Sequence, residues 1–300
     1  DNKISSFLTI QEGCDKFCKF CVVPYTRGGE YSRSMDELIN EANILVKNGS
    51  REITLLGQNV NAYNYQEKRL SSLIYEIAKI KKLERIRYTT SHPRDFTDDL
   101  IEAHAKCEKL MPLIHLPVQS GSNKILDSMN RKHTIEEYYD KINKLKKIRP
   151  DIKFSSDFII GYPGESQEDF DKTLQLMLNI KFINSFSFIF NSRPGTPAAS
   201  MEKVNETIAK KRLEIFQKIS NKVKKDYREE LLNKTSLVLF ENETKIANNY
   251  FGRDEYYNSV IVSSNENLVG KIKKIEINKI NHNTLFGYIS LEKNKEGFAA

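Results

Sequence analysis

No apolar stretch of this 300-residue chain approaches the length of a membrane-spanning segment, which argues against a helical membrane protein. The opening residues, DNKISSFLTIQEG, have neither the basic start nor the apolar run of a secretory signal. Cysteine is scarce. There are four, three of them crowded together, and nothing elsewhere has disulfide spacing, so a disulfide framework is excluded. Free thiols suit a reducing compartment, and the expected location is the cytoplasm. A strong charge of one sign is also missing. The net charge is +7, and the densest excess lies between 201 and 234, with ten basic against six acidic residues. Such a run is a solvated helix face or a surface that follows phosphates, and charge favours nucleic acid only slightly. What remains, 39% hydrophobic and 29% charged, describes a globular chain able to bury a real core in one large domain or two unequal ones.

The informative feature is GCDKFCKFC, in which Cys14, Cys18 and Cys21 stand as C-x3-C-x2-C. Three thiolates on one loop can hold three corners of a four-iron cluster. Such clusters normally take four cysteines, so three would leave one iron open to a small molecule. Structural zinc prefers C-x2-C pairs and a fourth Cys or His. The remaining cysteine, Cys107, stands alone in the helical-looking DDLIEAHAKCEK and reads as a small buried apolar residue.

From residue 6 to about 190 the pattern alternates strand and helix. SFLTIQE, REITLLG, RIRYTTS, LIHLPVQ, KFSSDFIIG and INSFSFIF read as strands, with helical patterns between them. Thr97 is placed to cap one helix, Gly49 to end another, and Thr134 and Ser166 each precede a Glu by two residues. Six strand–helix units predict an α/β domain with a parallel sheet, a partial (β/α)6 barrel rather than a closed one of eight. After the basic helix, short strand-like runs without helices predict a small all-β barrel. The expected domains are 1–234 and 235–300. In parallel α/β folds the site lies at the carboxyl ends of the strands. There the sequence places the cysteines, Gly57-Gln58-Asn59, Ser91-His92, Gln119-Ser120-Gly121-Ser122, the loop from Gly161, and the segment from Asn191 to Pro197.

Together GCDKFCKFCVVPYTRGGEYSR, LLGQNV, HLPVQSGS, DFIIGYPGE and FNSRPGTPAA resemble, nearly end to end, the radical S-adenosylmethionine methylthiotransferases. Phe20, before the last cysteine, completes the C-x3-C-x-aromatic-C with which radical S-adenosylmethionine enzymes begin. Arg193-Pro194 ahead of Gly195-Thr196-Pro197 resembles the tRNA-modifying members, and HLPVQSGS resembles the branch that modifies isopentenyladenosine beside the anticodon. The alternatives are threonylcarbamoyladenosine tRNA or a ribosomal protein as acceptor, and an RNA-binding module without complete catalysis. The resemblance implies a radical-SAM barrel followed by a TRAM-like β domain, and a 4Fe–4S cluster on Cys14, Cys18 and Cys21. It implies S-adenosylmethionine bound near Phe20, Gly57, Gln58, Gln119, Ser120, Asp157, Gly161, Gly195, Thr196 and Pro197. A tRNA anticodon stem-loop is the implied partner, with flavodoxin or ferredoxin as electron donor. Arg27, Arg33 and Arg193 are candidates for RNA contact or for surface ion pairs. Phe251, Tyr256, Tyr257 and Phe286 offer stacking groups, half or more of them expected in the barrel core. His92, His115 and His133 remain open between site and structural roles. Members of the family carry an N-terminal domain whose three further cysteines hold a second 4Fe–4S cluster. That domain is not in this sequence, and a fragment is the expectation.

Overall fold

The computed structural model describes residues 3–290. Six parallel strands form the frame: β1 (Ser5–Thr9), β2 (Glu52–Leu56), β3 (Arg85–Tyr88), β4 (Leu113–His115), β5 (Lys153–Ile160) and β6 (Asn184–Ile189). The first three pair in register from Ser5↔Glu52 and Glu52↔Arg85, and the last three from Leu113↔Lys153 and Asn184↔Ser155. A parallel bridge between Ile86 and Leu110 joins the two sets. The strands therefore follow one another in chain order and leave β1 and β6 as free edges. This is the open six-unit α/β arrangement the alternation predicts.

Helices follow each strand: α1 (Met35–Lys47), α2 (Leu70–Ala78), α3 (Asp98–Lys106), α4 (Ile135–Ile148), α5 (Gln167–Ile180) and α6 (Glu206–Glu229). In α1 the buried residues Met35, Leu38, Ala42 and Val46 recur at helical spacing, so one stripe meets the sheet. Thr134 and Ser166 start α4 and α5 in full capping boxes, but with Glu137 and Asp169, one residue beyond the acidic partners expected. The reason is geometric, because an N-cap oxygen reaches the third helical N–H. Cys107 is buried and free at the end of α3. No helix among the described residues is long and apolar enough to cross a membrane.

Strand alternation sorts the two faces of the sheet. Leu8, Ile53, Leu55, Phe154, Phe158 and Ile160 join the core beneath the helices. Phe158 packs its ring 5.5 Å from Phe182 and 4.7 Å from Phe216 of α6. Burial of each such side chain contributes roughly 1.5–3 kcal/mol. The opposite, concave face carries Phe7, Thr9, Asp157, Ile159, Phe186 and Phe188. Three aromatics on it stay open: Phe7 is 62% exposed, Phe186 48% and Phe188 60%.

The chain divides into two compact units, the first ending at Lys225 and the second beginning at Asp226, upstream of the expected 234/235 boundary. In the second, β7 (Thr235–Glu243), β8 (Asn249–Arg253), β9 (Ser259–Ser263), β10 (Ile272–Ile280) and β11 (Thr284–Ile289) close in the order β7-β8-β9-β11-β10. Val238, Phe240, Tyr250, Val260, Val262, Ile275, Ile277 and Leu285 fill the barrel. Gly252 and Gly287 allow close strand approach, since a Cβ would sit 2.4 Å from the Leu239 carbonyl oxygen or 2.2 Å from that of Glu276. One expectation fails here. None of Phe251, Tyr256, Tyr257 and Phe286 is fully buried, because alternation in β8 turns Tyr250 and Gly252 inward and Phe251 out. Arg253 instead covers the rings of Phe251 and Tyr257, 5.3 and 4.2 Å from their centroids.

Candidate metal centre and cofactor site

The cysteine loop leaves the carboxyl end of β1 and is gripped from several elements. Gly13 has φ +73°, and a Cβ there would lie 1.9 Å from the Gly29 carbonyl oxygen, so only glycine fits. The Gly13 N–H donates to Gln58 Oε1 at 2.7 Å, and the Cys14 N–H to the Gly28 carbonyl at 3.2 Å. Buried Gln11 donates through Nε2 to the carbonyls of Glu12 and Gly13, while its Oε1 accepts from the Asn59 N–H. Farther along, Lys19 N–H donates to the Met129 carbonyl and Ala198 N–H to the Lys19 carbonyl. Asn130 Nδ2 holds the Phe17 carbonyl at 2.8 Å. Lys16 Nζ pairs with Asp95 at 2.8 Å and Glu30 at 3.5 Å, and Asn59 Nδ2 donates to the same two carboxylates.

Cys14, Cys18 and Cys21 are free thiols on this scaffold. Burial pushes the Cys14 thiol up to about 11 and raises Cys21 in the same direction. Unliganded, these groups hold their protons, and soft metal must displace them. Among the described residues no three His, Cys, Asp or Glu side chains are grouped closely enough to hold a single metal ion. A four-iron cluster takes each thiolate on a different iron, and the donor set fits that chemistry. Arg131 adds a second point of fit: its Nη1 donates to Cys18 Sγ at 3.5 Å.

The other residues anticipated from the sequence fall into two groups. Phe20 packs beside Ile125, Met129, Tyr162, Phe190 and Ala198. It also lines a cleft of about 500 Å³ with Ile159, Phe188, Phe190 and Arg193. Asp157 lies on the concave face, its Oδ1 3.5 Å from His115 Nε2, while His115 Nδ1 meets Ser155 Oγ at 2.9 Å. Gln119 holds a left-handed φ of +76°, strained for this residue type, with its N–H on the Asp157 carbonyl and its carbonyl on the Ile159 N–H. Gly195, φ +80°, turns the chain so that Thr196 Oγ1 donates to the Arg193 carbonyl at 2.7 Å, and Pro197 opens the next turn. Arg27 is exposed at the end of the short helix Val23–Arg27, and Arg193 is exposed at the cleft.

A second group is engaged within the protein itself. Gly57 makes room for Gln11, and Gln58 pins Gly13. Ser120 is buried towards α5, where its Oγ accepts from the Ser122 N–H and lies 3.4 Å from Thr173 Oγ1. Gly161, φ +69°, donates to Glu165 Oε1, and its bare Cα admits Ala209 of α6. Arg33 spans the Thr9 carbonyl and Glu41, at 2.8 and 2.7 Å, which is an ion pair at the start of α1 rather than a free cation.

Three residues that sequence reasoning passed over or left open sit beside the loop. Arg131 is buried. His92 and His133 pack edge to face at 5.8 Å. Burial and then the Arg131 charge lower both imidazoles, His133 to about 4 and His92 further. No spacing rule singles out Arg131, which follows a short helix in NRKHT.

The Radical SAM superfamily model matches residues 8–177, and the TRAM domain model matches residues 229–289. The chain is 57% identical over 302 residues to the tRNA-2-methylthio-N(6)-dimethylallyladenosine synthase of Pelagibacter ubique (strain HTCC1062), covering 99% of this chain and 67% of that one. It is 50% identical over 290 residues to the synthase of the same name from Wolbachia pipientis subsp. Culex pipiens (strain wPip), covering 94% and 66%. The chain spans about two thirds of the length of these curated relatives. Among solved structures, coproporphyrinogen III oxidase (HemN) from Escherichia coli aligns with TM-score 0.53 and 13% identity over 94% of this chain and 70% of its own. The radical S-adenosylmethionine methyltransferase TsrM from Kitasatospora setae aligns with TM-score 0.55 and 16% identity over 66% and 38%. Those two likenesses speak to the fold. With its open six-stranded sheet, its three-cysteine loop and these matches, the chain belongs to the radical SAM superfamily, in the family of the tRNA-2-methylthio-N(6)-dimethylallyladenosine synthases.

Proposed function

We propose that this chain is the radical and RNA-binding part of an enzyme that methylthiolates carbon 2 of N6-isopentenyladenosine, next to the anticodon of tRNA. The carrying observation is the three-thiol loop at the carboxyl ends of the strands, beside a cleft lined by Phe20 and Phe188. Cys14, Cys18 and Cys21 would hold the 4Fe–4S cluster. Phe20, Gln119, Asp157, Gly195, Thr196 and Pro197 border the space for S-adenosylmethionine, while Gly57, Gln58, Ser120 and Gly161 shape the loops around it. When bound, the cluster and S-adenosylmethionine supply a carbon radical able to take a hydrogen from an aromatic carbon.

The carbon-2 hydrogen of adenine has no acidity that a side-chain base could use, so the chain's own work is binding, orientation and exclusion of water. The base must leave its stack to reach the site. Phe186 and Phe188 offer its prenyl chain an apolar wall on the concave face, and His115 offers the purine edge a polar partner. Arg27 and Arg193, exposed on the same loops, suit RNA phosphates, and the TRAM domain suits the anticodon stem-loop. Sulfur would come from a second 4Fe–4S cluster on the third of the family's length that lies outside this sequence. A flavodoxin or ferredoxin would deliver electrons, in the cytoplasm.

The test is to incubate the complete enzyme, reconstituted anaerobically, with hypomodified tRNA and with ribosomal protein, and to locate the methylthio group by mass spectrometry. Product on prenylated adenosine supports the reading. Product on threonylcarbamoyladenosine or on protein, or RNA binding with no product, overturns it.

A further inference from the structure

Arg131 is 5% exposed, and no carboxylate among the described residues pairs with it. Its Nη2 donates to the Pro117 carbonyl at 2.5 Å, its Nη1 to Cys18 Sγ at 3.5 Å, and its Nε has no protein partner among the described residues. Burying an unpaired guanidinium costs several kcal/mol, so a fold retains one where an anion will sit. The neighbouring rings of His92 and His133 do not share the role. Burial holds both neutral and leaves the positive charge on Arg131. The backbone around it is fixed as well, because Arg131 N–H donates to the Leu126 carbonyl and His133 Nδ1 meets the Arg131 carbonyl.

We propose that Arg131 is a positioning residue that sets the reduction potential of the cluster through the sulfur of Cys18. This rests on the reading that Cys14, Cys18 and Cys21 ligate a 4Fe–4S cluster. With three thiolates the cluster is anionic, and one electron from a low-potential donor of the flavodoxin or ferredoxin class makes it more so, with no bond made or broken. A buried guanidinium and its N–H···S contact favour the more negative state. Arg131 therefore eases electron entry and raises the potential. Its second hydrogen bond, to Pro117 at the end of β4, aims the charge at Cys18 rather than at solvent.

The test uses this 300-residue chain, which carries a single cysteine trio, loaded anaerobically with iron and sulfide and titrated with dithionite under electron paramagnetic resonance. Wild type is compared with Arg131→Gln, which removes the charge, and Arg131→Lys, which keeps it with poorer geometry. The expected result is normal iron content in both variants. At one ambient potential the ratio of reduced to oxidised cluster should be about tenfold lower in Arg131→Gln, a shift of about 59 mV for a one-electron couple, with Arg131→Lys between the two. Loaded variants with the wild-type potential would overturn the proposal while leaving the cluster reading intact. Loss of iron from both variants would make Arg131 a packing residue and overturn it equally. Wild type that binds no reducible cluster would instead defeat the ligand assignment on which the proposal rests.

Discussion

Gly57 lies so close to Gln11 that a Cβ on it would sit 2.6 Å from the Gln11 carbonyl oxygen and 2.7 Å from its Oε1. Neither atom can move cheaply. The first is strand backbone, and the second accepts the Asn59 N–H while Nε2 of the same amide holds the Gly13 carbonyl. Gly57→Ala should therefore cost about 1–3 kcal/mol and disturb the cysteine loop in particular. Gly29→Ala is the control, because its Cβ would meet only the movable Asp15 carboxylate at 3.2 Å. Iron retained per chain and the thermal midpoint should fall in the first variant much more than in the second. Equal behaviour would show that Gln11 does not brace the loop.

The three thiols make a sharper comparison. Replacement of Cys14, Cys18 or Cys21 by Ala should abolish iron loading singly, since a cluster with one open iron has no spare ligand. Cys107→Ala should keep full loading and lose only a small packing contribution, as it is buried and remote from the trio in sequence. Iron and sulfide assays on the four purified variants check this. Wild-type iron content in any of the first three would contradict the assignment.

Much of this was readable in advance, and what was not has a physical explanation. Strand alternation and cap residues are local, so the six units and their order were legible, as was the cysteine spacing. Gly57 and Gln58 were legible as special residues but not as the partners of Gln11 and Gly13, because those contacts join segments more than forty residues apart. Arg131 was invisible for the same reason: it reaches Cys18 across 113 positions. Half or more of Phe251, Tyr256, Tyr257 and Phe286 were expected in the barrel core because composition says a barrel needs filling, whereas the register decides which side chains fill it.

Arg212 and Glu165 form a buried pair, Nη1 to Oε1 at 2.9 Å, that seats α6 on the loop after β5. The same Oε1 accepts the Gly161 N–H, and Arg212 also donates to the Glu165 carbonyl. Burial raises the Glu165 carboxyl even so. Arg212→Ala should destabilise by about 3–5 kcal/mol, because it leaves a buried carboxylate alone. Adding Glu165→Gln should recover part of that loss, which a double-mutant cycle in urea would measure. Strict additivity would mean that the two side chains do not act as a pair.

Acid should weaken the first unit through His104. Burial lowers this imidazole to about 3, and its Nε2 is 2.7 Å from the Tyr88 hydroxyl. A histidine that titrates near 6.5 when unfolded and near 3 when folded binds fewer protons in the native state. Its contribution is complete above about pH 6.5 and is lost as the pH falls towards 3. His133, lowered to about 4, acts in the same direction. Stability measured by urea denaturation should fall steadily below about pH 6.5, and His104→Leu, although less stable at pH 7, should show a flatter profile. An unchanged slope in that variant would assign the acid sensitivity elsewhere.

Phe188 tests the substrate rather than the fold. It is 60% exposed on the concave face, in register with Ile159, and borders the cleft with Phe20 and Arg193. A side chain so open contributes little to stability, so Phe188→Ser should leave the thermal midpoint nearly unchanged. If the prenyl chain packs here, the loss of an apolar wall should cost about 1–2 kcal/mol of binding, a five- to thirtyfold weaker Kd, for an anticodon stem-loop carrying isopentenyladenosine. The unprenylated stem-loop has no such group to lose and should bind both proteins alike. Phe186→Ser should act in the same sense, since that ring lies two residues away on the same face. Binding of the two RNAs to each variant separates the possibilities. Equal weakening for both would place the prenyl group elsewhere and leave Phe186 and Phe188 as general contacts to RNA.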